Sequence, residues 1–213
     1  GSSAFGDGSD GALSISADTT DAPVDSACTG TIGSTALTAT NATFSSHVGD
    51  PILIIQMTGT GAGNYQKTSI SAYTAGTITT SDPLLYTFVS GAQVIVSSQY
   101  SSITVDSAKT LTAKAWNGTV GGVIFLESNG ATTVTGTITA TGKGFRGGNG
   151  TGGGQGYQGE STAGTGAASI AANDQGGGGG AQDGGSQAGG GGGAGHSADG
   201  AAGKTRSGGT GGT

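Results

Sequence analysis

The sequence predicts an all-β fold, with a β-sandwich or β-solenoid-like body over residues 1–143 and a glycine-rich segment over 144–213. Short runs of β-branched residues, separated by Gly, Asn, Asp and Pro, fill the first part. No stretch there has the 3.6-residue periodicity of an amphipathic helix. The last 70 residues contain 30 Gly and no Leu, Val, Met, Trp or Cys. The two parts must therefore be stabilised in different ways.

Six runs in the first part predict strands. Two are short apolar runs, each with one Gln, and predict strands buried on both faces. Two others alternate in period two, and two more follow towards residue 143. In that order they are 51–57 and 92–96, 76–80 and 102–105, and 123–126 and 133–140. Residues 103–113 also resemble 132–140 at an offset of 29, which favours successive coils of a β-solenoid. Two unrelated Thr-rich strands are the alternative.

Composition narrows the classes of partner and the location. Charged residues make up 9% of the chain, the net charge is −6, and only seven residues are Lys or Arg. We therefore expect no nucleic-acid partner, because phosphate contacts need a basic surface. No apolar run approaches the roughly 20 residues that span a bilayer, so no membrane insertion is expected. A polar surface of Thr, Ser, Asn and Gln is typical of secreted proteins, which predicts an extracellular, cell-surface or virion-surface location.

The glycine runs predict extended helices of the polyglycine II type, with three residues per turn. Without Cβ atoms, neighbouring backbones can approach and hydrogen-bond to one another. The runs are 147–156, 176–180, 189–195 and 208–212, and the polar segments 157–175, 181–187 and 196–206 are predicted turns. Ordering a residue costs about 1–2 kcal/mol, whereas a net hydrogen bond returns about 0.5–1.5 kcal/mol. The tail is therefore expected to fold only against the β body or other subunits, which predicts self-association into a fibre or homo-oligomer.

The predicted turns supply candidate recognition residues, because backbone packing constrains the glycine runs and leaves the turn side chains free. The candidates are Tyr157, Glu160, Asp174, Gln182, Asp183, His196, Lys204 and Arg206. Five aromatic residues of the body form either a sugar-stacking face or ordinary packing contacts. They are Tyr65, Tyr73, Tyr86, Tyr100 and Trp116.

Catalytic and cofactor motifs are scarce. The chain has two His and two Glu and no recognisable nucleophile motif, so a non-enzymatic protein is predicted. Residues 142–147 match G-x-G-x-x-G, but more Gly follows instead of a helix, so no dinucleotide cofactor is expected. Asp7 and Asp10 lie in a Gly-rich turn and are candidate Ca²⁺ ligands, with an Asp-Gly turn as the alternative. The single Cys28 cannot form an internal disulfide and is predicted to be a small buried residue.

Several motifs, taken in order, resemble large glycine-rich surface proteins of bacteria that are described as adhesins. They lie at 49–57, 62–65, 99–100, 116–122, 135–148 and 159–161. The tail is also similar to the glycine-rich tip adhesins of phage long tail fibres, whose tails form polyglycine bundles. The leading hypothesis is a structural and adhesive protein, a subunit or tip of a surface fibre, because stacked subunits would bury the backbone groups of the tail. A glycan- or receptor-binding module is the second hypothesis, and ice binding is a third.

Overall fold

The computed structural model of the chain describes residues 5–148, 156–179 and 202. In these ranges the regular structure consists of fourteen strands and one short 3-10 helix, Ala42–His47, which confirms the all-β class. No helix within them is long and apolar enough to cross a bilayer. The strands are Ala12–Ile15 (β1), Thr19–Asp21 (β2), Asp25–Gly30 (β3), Ala36–Thr38 (β4), Pro51–Gln56 (β5), Tyr65–Thr74 (β6), Thr77–Thr80 (β7), Phe88–Val96 (β8), Ser98–Tyr100 (β9), Ser102–Val105 (β10), Thr110–Ala113 (β11), Leu126–Ser128 (β12), Thr132–Val134 (β13) and Thr137–Thr139 (β14).

The chain divides into two compact units. The first contains residues 1–56 and 64–144, and the second contains residues 57–63 and 145–213. The loop 57–63, in which three of the seven residues are Gly, therefore belongs to the same unit as the glycine-rich part of the chain.

Six antiparallel strands of the first unit form a closed barrel, in the order β3-β4-β7-β6-β5-β8. Its interior is apolar and fully shielded from water, with Ile52, Ile54 and Val94 at 0% exposure. These three residues belong to a buried apolar cluster, the barrel cluster. Its other members are Cys28, Leu37, Ala39, Phe44, Ile70, Ile78, Leu84, Phe88, Ala92 and Val96. This part of the body is therefore a closed barrel, whereas the sequence predicted a β-sandwich as one of two alternatives. Closure depends on strand tilt and register, which alternating hydrophobicity does not reveal.

The two apolar runs predicted at 51–57 and 92–96 lie in β5 and β8, and these strands differ in how deeply they are buried. Strand β8 is buried along both faces over residues 92–96, as predicted. On its outer face the amide of Gln93 donates to the carbonyl of Gly121 and accepts from the N–H of Gly121, both at 2.9 Å. In β5, by contrast, Leu53 and Ile55 are only half-buried, so one face of that strand is incompletely covered.

Cys28 lies on β3 inside the barrel and is 4% exposed, which confirms the predicted burial. Burial raises the pKa of its thiol to about 12, because the thiolate is poorly solvated there. The thiolate is the reactive form, so we expect almost no maleimide labelling of the folded chain at about pH 8 and rapid labelling in denaturant. Native labelling at the rate of a free cysteine would contradict the barrel interior described above.

Parallel strands of the first unit form three successive coils of a solenoid. The first coil contains β1 and β2, the second β9 to β11, and the third β12 to β14. The sheets have the orders β1-β10-β13, β2-β11-β14 and β9-β12. Ile103 pairs with Thr132, which confirms that the two similar runs lie in neighbouring coils at an offset of 29. In the second half of the repeat the offset is 27, since Thr110 pairs with Thr137. The barrel, residues 25–96, is an insertion between the first and second coils.

The predicted strand 133–140 is wrong as a single element, because the chain turns a corner at Thr135 and Gly136. Both backbone N–H groups donate to the carbonyl of Val105, at 3.0 and 3.1 Å. A Cβ atom at Gly136 would lie 2.2 Å from the carbonyl oxygen of Lys109, so the corner requires glycine. The predicted strand 123–126 is also displaced, since β12 starts only at Leu126.

In the second unit, hydrogen bonds between backbones join segments that are distant along the chain. Glu160 donates its N–H to the carbonyl of Arg146 at 2.8 Å, and Gly159 donates to Gly177 at 2.6 Å. The predicted turn 157–175 is not a single turn, because the chain reverses both at 161–164 and at 173–176. Nine of the described residues of this second unit are buried. They are Gly156, Gly159, Glu160, Ser161, Gly166, Gly176, Gly177, Gly178 and Gly179.

Candidate functional site

An open cleft of about 580 Å³ lies in the second unit, residues 57–63 and 145–213, which we call the glycine-rich unit. Small-ligand sites usually enclose about 300–1,000 Å³, so the volume suits a small molecule or part of a larger one. The lining residues are Arg146, Gly147, Gly148, Tyr157, Gln158, Glu160, Thr165 and Gly166. Three of these are glycines, which narrow the cleft less than larger residues would.

An ion pair between Arg146 and Glu160 forms one wall of the cleft. The Glu160 carboxylate accepts from the backbone N–H of Arg146 at 3.0 Å, from its Nε at 3.0 Å, and from its Nη2. The side chain of Glu160 is 7% exposed and that of Arg146 is 57% exposed. The hydrogen bond and charge of Glu160 raise the pKa of Arg146 above its ordinary value. The guanidinium has further N–H groups on Nη1 and Nη2 that the bonds to Glu160 do not use.

Gln158, another residue that lines the cleft, is held by hydrogen bonds to the backbone. Its Nε2 donates to the carbonyls of Ala171 and Ala172 at 2.8 and 3.1 Å, and its Oε1 accepts from the N–H of Ala167 at 3.0 Å. A nearby amide has a similar role, since Asn173 Nδ2 donates to the carbonyls of Gly159 and Gly164. These side chains link backbone segments, so the cleft is held open before any ligand arrives.

The structure places three of the candidate recognition residues. Tyr157, at 56% exposure, and Asp174 are exposed, as expected for turn residues. Glu160 requires a correction, because it is buried and paired with Arg146 instead of displayed to solvent. The other five, Gln182, Asp183, His196, Lys204 and Arg206, lie outside the described residues.

Sequence reasoning missed three of the residues that line the cleft, namely Arg146, Gln158 and Thr165. The segment around Arg146 and Glu160 has few other charged residues. Their opposite charges could therefore have indicated that the two side chains pair. Nothing in the local pattern singled out Gln158 or Thr165. Their roles depend on how the backbone reverses after Ser161.

The five body aromatics do not form one face. Trp116 is buried, and Tyr73 packs against the barrel cluster. Tyr100 packs against the buried apolar residues of the solenoid, which are Ile15, Ile103, Val105 and Leu111. Only Tyr65 and Tyr86 are substantially exposed, at 61% and 38%. The packing alternative therefore describes Trp116, Tyr73 and Tyr100.

Asp7 and Asp10 make structural hydrogen bonds. Asp7 Oδ1 accepts from the N–H of Ser9 at 2.9 Å, and Asp10 Oδ2 accepts from the N–H of Gln99 at 2.7 Å. Hydrogen bonds from the side chain and backbone of Ser9 lower the pKa of Asp7. In the described residues no group of three or more His, Cys, Asp or Glu side chains is placed to hold a metal ion. Calcium binding here remains a prediction from the sequence.

Comparisons with known proteins return no match for this chain, whether with family models, curated proteins or solved structures.

Proposed function

We propose that the chain is an extracellular adhesive protein, a subunit or tip of a surface fibre, and that its glycine-rich unit is a scaffold packed backbone against backbone. One observation carries the proposal. Seven of the nine buried positions in the described part of this unit are glycines, and none of the nine carries an apolar side chain. Larger side chains such as Tyr157 and Ile170 point outwards.

Close approach of backbones explains why these positions are glycine. A Cβ atom would lie 2.5 Å from the carbonyl oxygen of Glu160 at Gly176, and 2.3 Å from the carbonyl carbon of Gly156 at Gly179. Neither glycine has a left-handed φ, so conformational freedom is not what requires it. This pattern supports a bundle of polyglycine II type, in which backbones occupy the interior and side chains are displayed.

Such a scaffold suits adhesion. Its interior constrains only the glycines, so the exposed positions of its turns can vary with the surface that is bound. The low content of charged residues, 9%, supports an extracellular or virion-surface location. Beads coated with the full chain are expected to adhere to intact cells above the level of albumin-coated beads. Adhesion no higher than that baseline overturns the proposal.

The third coil of the solenoid supports self-association. Val134 is in register with Val105, and Ile138 with Leu111, yet Val134 and Ile138 are 44% and 38% exposed while their partners are buried. Strands β13 and β14 are the outermost strands of their sheets. Residues 129–142 contain no charge and no Pro, the features that usually protect an edge strand from pairing with another chain. A second copy could therefore extend both sheets.

A lysine at Val134 tests this association. We expect the full chain to sediment as a concentration-dependent oligomer and Val134→Lys to sediment as a monomer, because pairing would bury the new charge. Ile32→Lys is the matched control, since Ile32 is 60% exposed on a barrel loop, and it should still associate. A wild-type chain that stays monomeric at high concentration removes the fibre from the proposal.

A glycan- or receptor-binding module, such as a fibre tip, is the second candidate. The cleft between Arg146 and Tyr157 favours it, because a purely structural subunit has no need of a preformed cavity. Binding by the monomeric Val134→Lys chain would favour this candidate over a function that depends on assembly.

A further inference from the structure

We propose that the cleft lined by Arg146, Tyr157 and Thr165 binds a neutral saccharide, a pyranose ring or short oligosaccharide without acidic groups. The inference rests on the proposed adhesive function, for which it names the ligand class. It follows from the side chains that the cleft presents, from their charge, and from the way in which they are held.

The cleft offers one flat apolar surface and a few hydrogen-bonding groups. Tyr157 is 56% exposed and lines the cleft, and its phenol provides both a flat face and a hydroxyl. Thr165 adds a second hydroxyl on an exposed turn. A pyranose has a complementary surface, with C–H groups on one face and hydroxyls around its edge. A purely apolar ligand would leave the polar groups of the cleft without partners.

The outer edge of Arg146 suits a pair of neighbouring hydroxyls. Its Nε and Nη2 donate to Glu160, while the remaining guanidinium N–H groups lie in one plane, spaced to reach two adjacent acceptors. Sugar hydroxyls on neighbouring ring carbons provide such acceptors. Phosphate and carboxylate do so as well, so charge must decide between the ligand classes.

Charge favours a neutral ligand. Glu160 already neutralises Arg146, at the distance of a direct ion pair. Among the described residues of this unit Arg146 is the only Lys or Arg, against the carboxylates of Glu160 and Asp174. The whole chain carries −6, so an acidic polymer approaches against an unfavourable potential. A neutral saccharide avoids this cost.

The cleft is also organised before binding. Glu160 holds the Arg146 guanidinium through two of its nitrogens, and Gln158 is hydrogen-bonded at both ends of its amide. Groups fixed in advance lose little conformational entropy when a ligand arrives, which matters for sugars because each hydroxyl contributes little net affinity.

The test uses the full chain on an array of neutral and acidic oligosaccharides, followed by calorimetric titration of the strongest hit. We expect neutral sugars to bind. Tyr157→Ala should raise Kd by about tenfold or more, equivalent to about 1.4 kcal/mol. Thr165→Val, which removes one hydroxyl, should raise Kd less. Ile170→Ala is the matched control, because Ile170 is an exposed apolar residue of the same unit that does not line the cleft, and its Kd should match the wild-type value.

Transfer of saturation from tyrosine ring protons to sugar C–H protons in NMR gives a second readout that does not depend on affinity. Binding of acidic sugars only, unchanged affinity in Tyr157→Ala, or no binding to any sugar overturns the inference. If coated beads adhere to cells but free neutral sugars do not compete, the saccharide inference fails while the adhesive function stands. If the beads do not adhere at all, the proposed function itself fails.

Discussion

Replacing Gly178 with alanine is expected to destabilise the glycine-rich unit by about 3 kcal/mol, at the upper end of the usual cost of overpacking. The new Cβ would lie 2.2 Å from the carbonyl oxygen of Ile170 and 2.8 Å from that of Ala171. These obstacles are backbone atoms and cannot rotate away as a side chain does. The carbonyl of Ala171 also accepts from Gln158, so moving it would weaken the wall of the cleft.

The sign of the change in stability distinguishes a glycine in contact with neighbouring backbone from a glycine with free space around it. Where an alanine fits without strain, replacing glycine usually stabilises a protein by about 0.4–1 kcal/mol, because the unfolded chain loses freedom. Gly147 is such a site, since it lies in the same unit with no atom within 4 Å of a built Cβ and without a left-handed φ. Gly147→Ala is therefore the matched control and should be neutral or slightly stabilising.

Amide hydrogen exchange measures the difference locally. The N–H of Gly179, which donates to the carbonyl of Ser169 at 2.8 Å, and that of Gly159, which donates to Gly177, report on the packed segments. Their protection should fall in Gly178→Ala and persist in Gly147→Ala. Equal protection in the two variants would mean that backbone packing does not determine the stability of this unit, and the adhesive scaffold would lose its basis.

The first unit shows which features of the fold can be predicted from the local sequence. Strands β7 and β10 follow from period-two alternation, because one face of each packs on a core. The repeat of 29 residues identifies two coils, since a solenoid requires similar residues at each level. The corner at Gly136 was missed because a Thr-rich run looks continuous until the carbonyls of neighbouring coils are known. Barrel closure was missed for a related reason, since it depends on pairings between distant strands such as β3 and β8.

The candidate site was only partly predictable. The exposure of Tyr157 and Asp174 followed from their position between glycine runs. The burial of Glu160 did not, because its partner Arg146 lies 14 residues earlier and the two meet only after the chain folds back. The ion pair with Arg146 lets the charge of this carboxylate be buried at lower cost.

The two units are thus expected to respond to different kinds of substitution. In the glycine-rich unit, adding one methyl group at a buried position is harmful, because backbone fills the interior. In the barrel, removing atoms is harmful, because side chains fill the interior and a void forfeits their contacts. The barrel therefore provides the complementary experiment.

Phe44→Ala is expected to cost about 3–5 kcal/mol of the free energy of unfolding, the usual range for a buried aromatic residue. Phe44 is 0% exposed and projects from the short helix 42–47 into the barrel cluster. Its ring lies 6.1 Å from that of Tyr73, at a tilt of 46°. Truncation removes both the transfer energy of the ring and its contacts with the cluster, and the closed strands around it limit how far the cavity can collapse.

Urea unfolding of the full chain, followed by circular dichroism, measures this cost, with Leu85→Ala as the control. Leu85 is a large apolar residue of the same unit but is 62% exposed, so its truncation should change stability by less than about 0.5 kcal/mol. A loss below about 1 kcal/mol for Phe44→Ala would mean that the barrel interior is loosely packed. In that case the contrast between side-chain packing in the body and backbone packing in the glycine-rich unit would no longer hold.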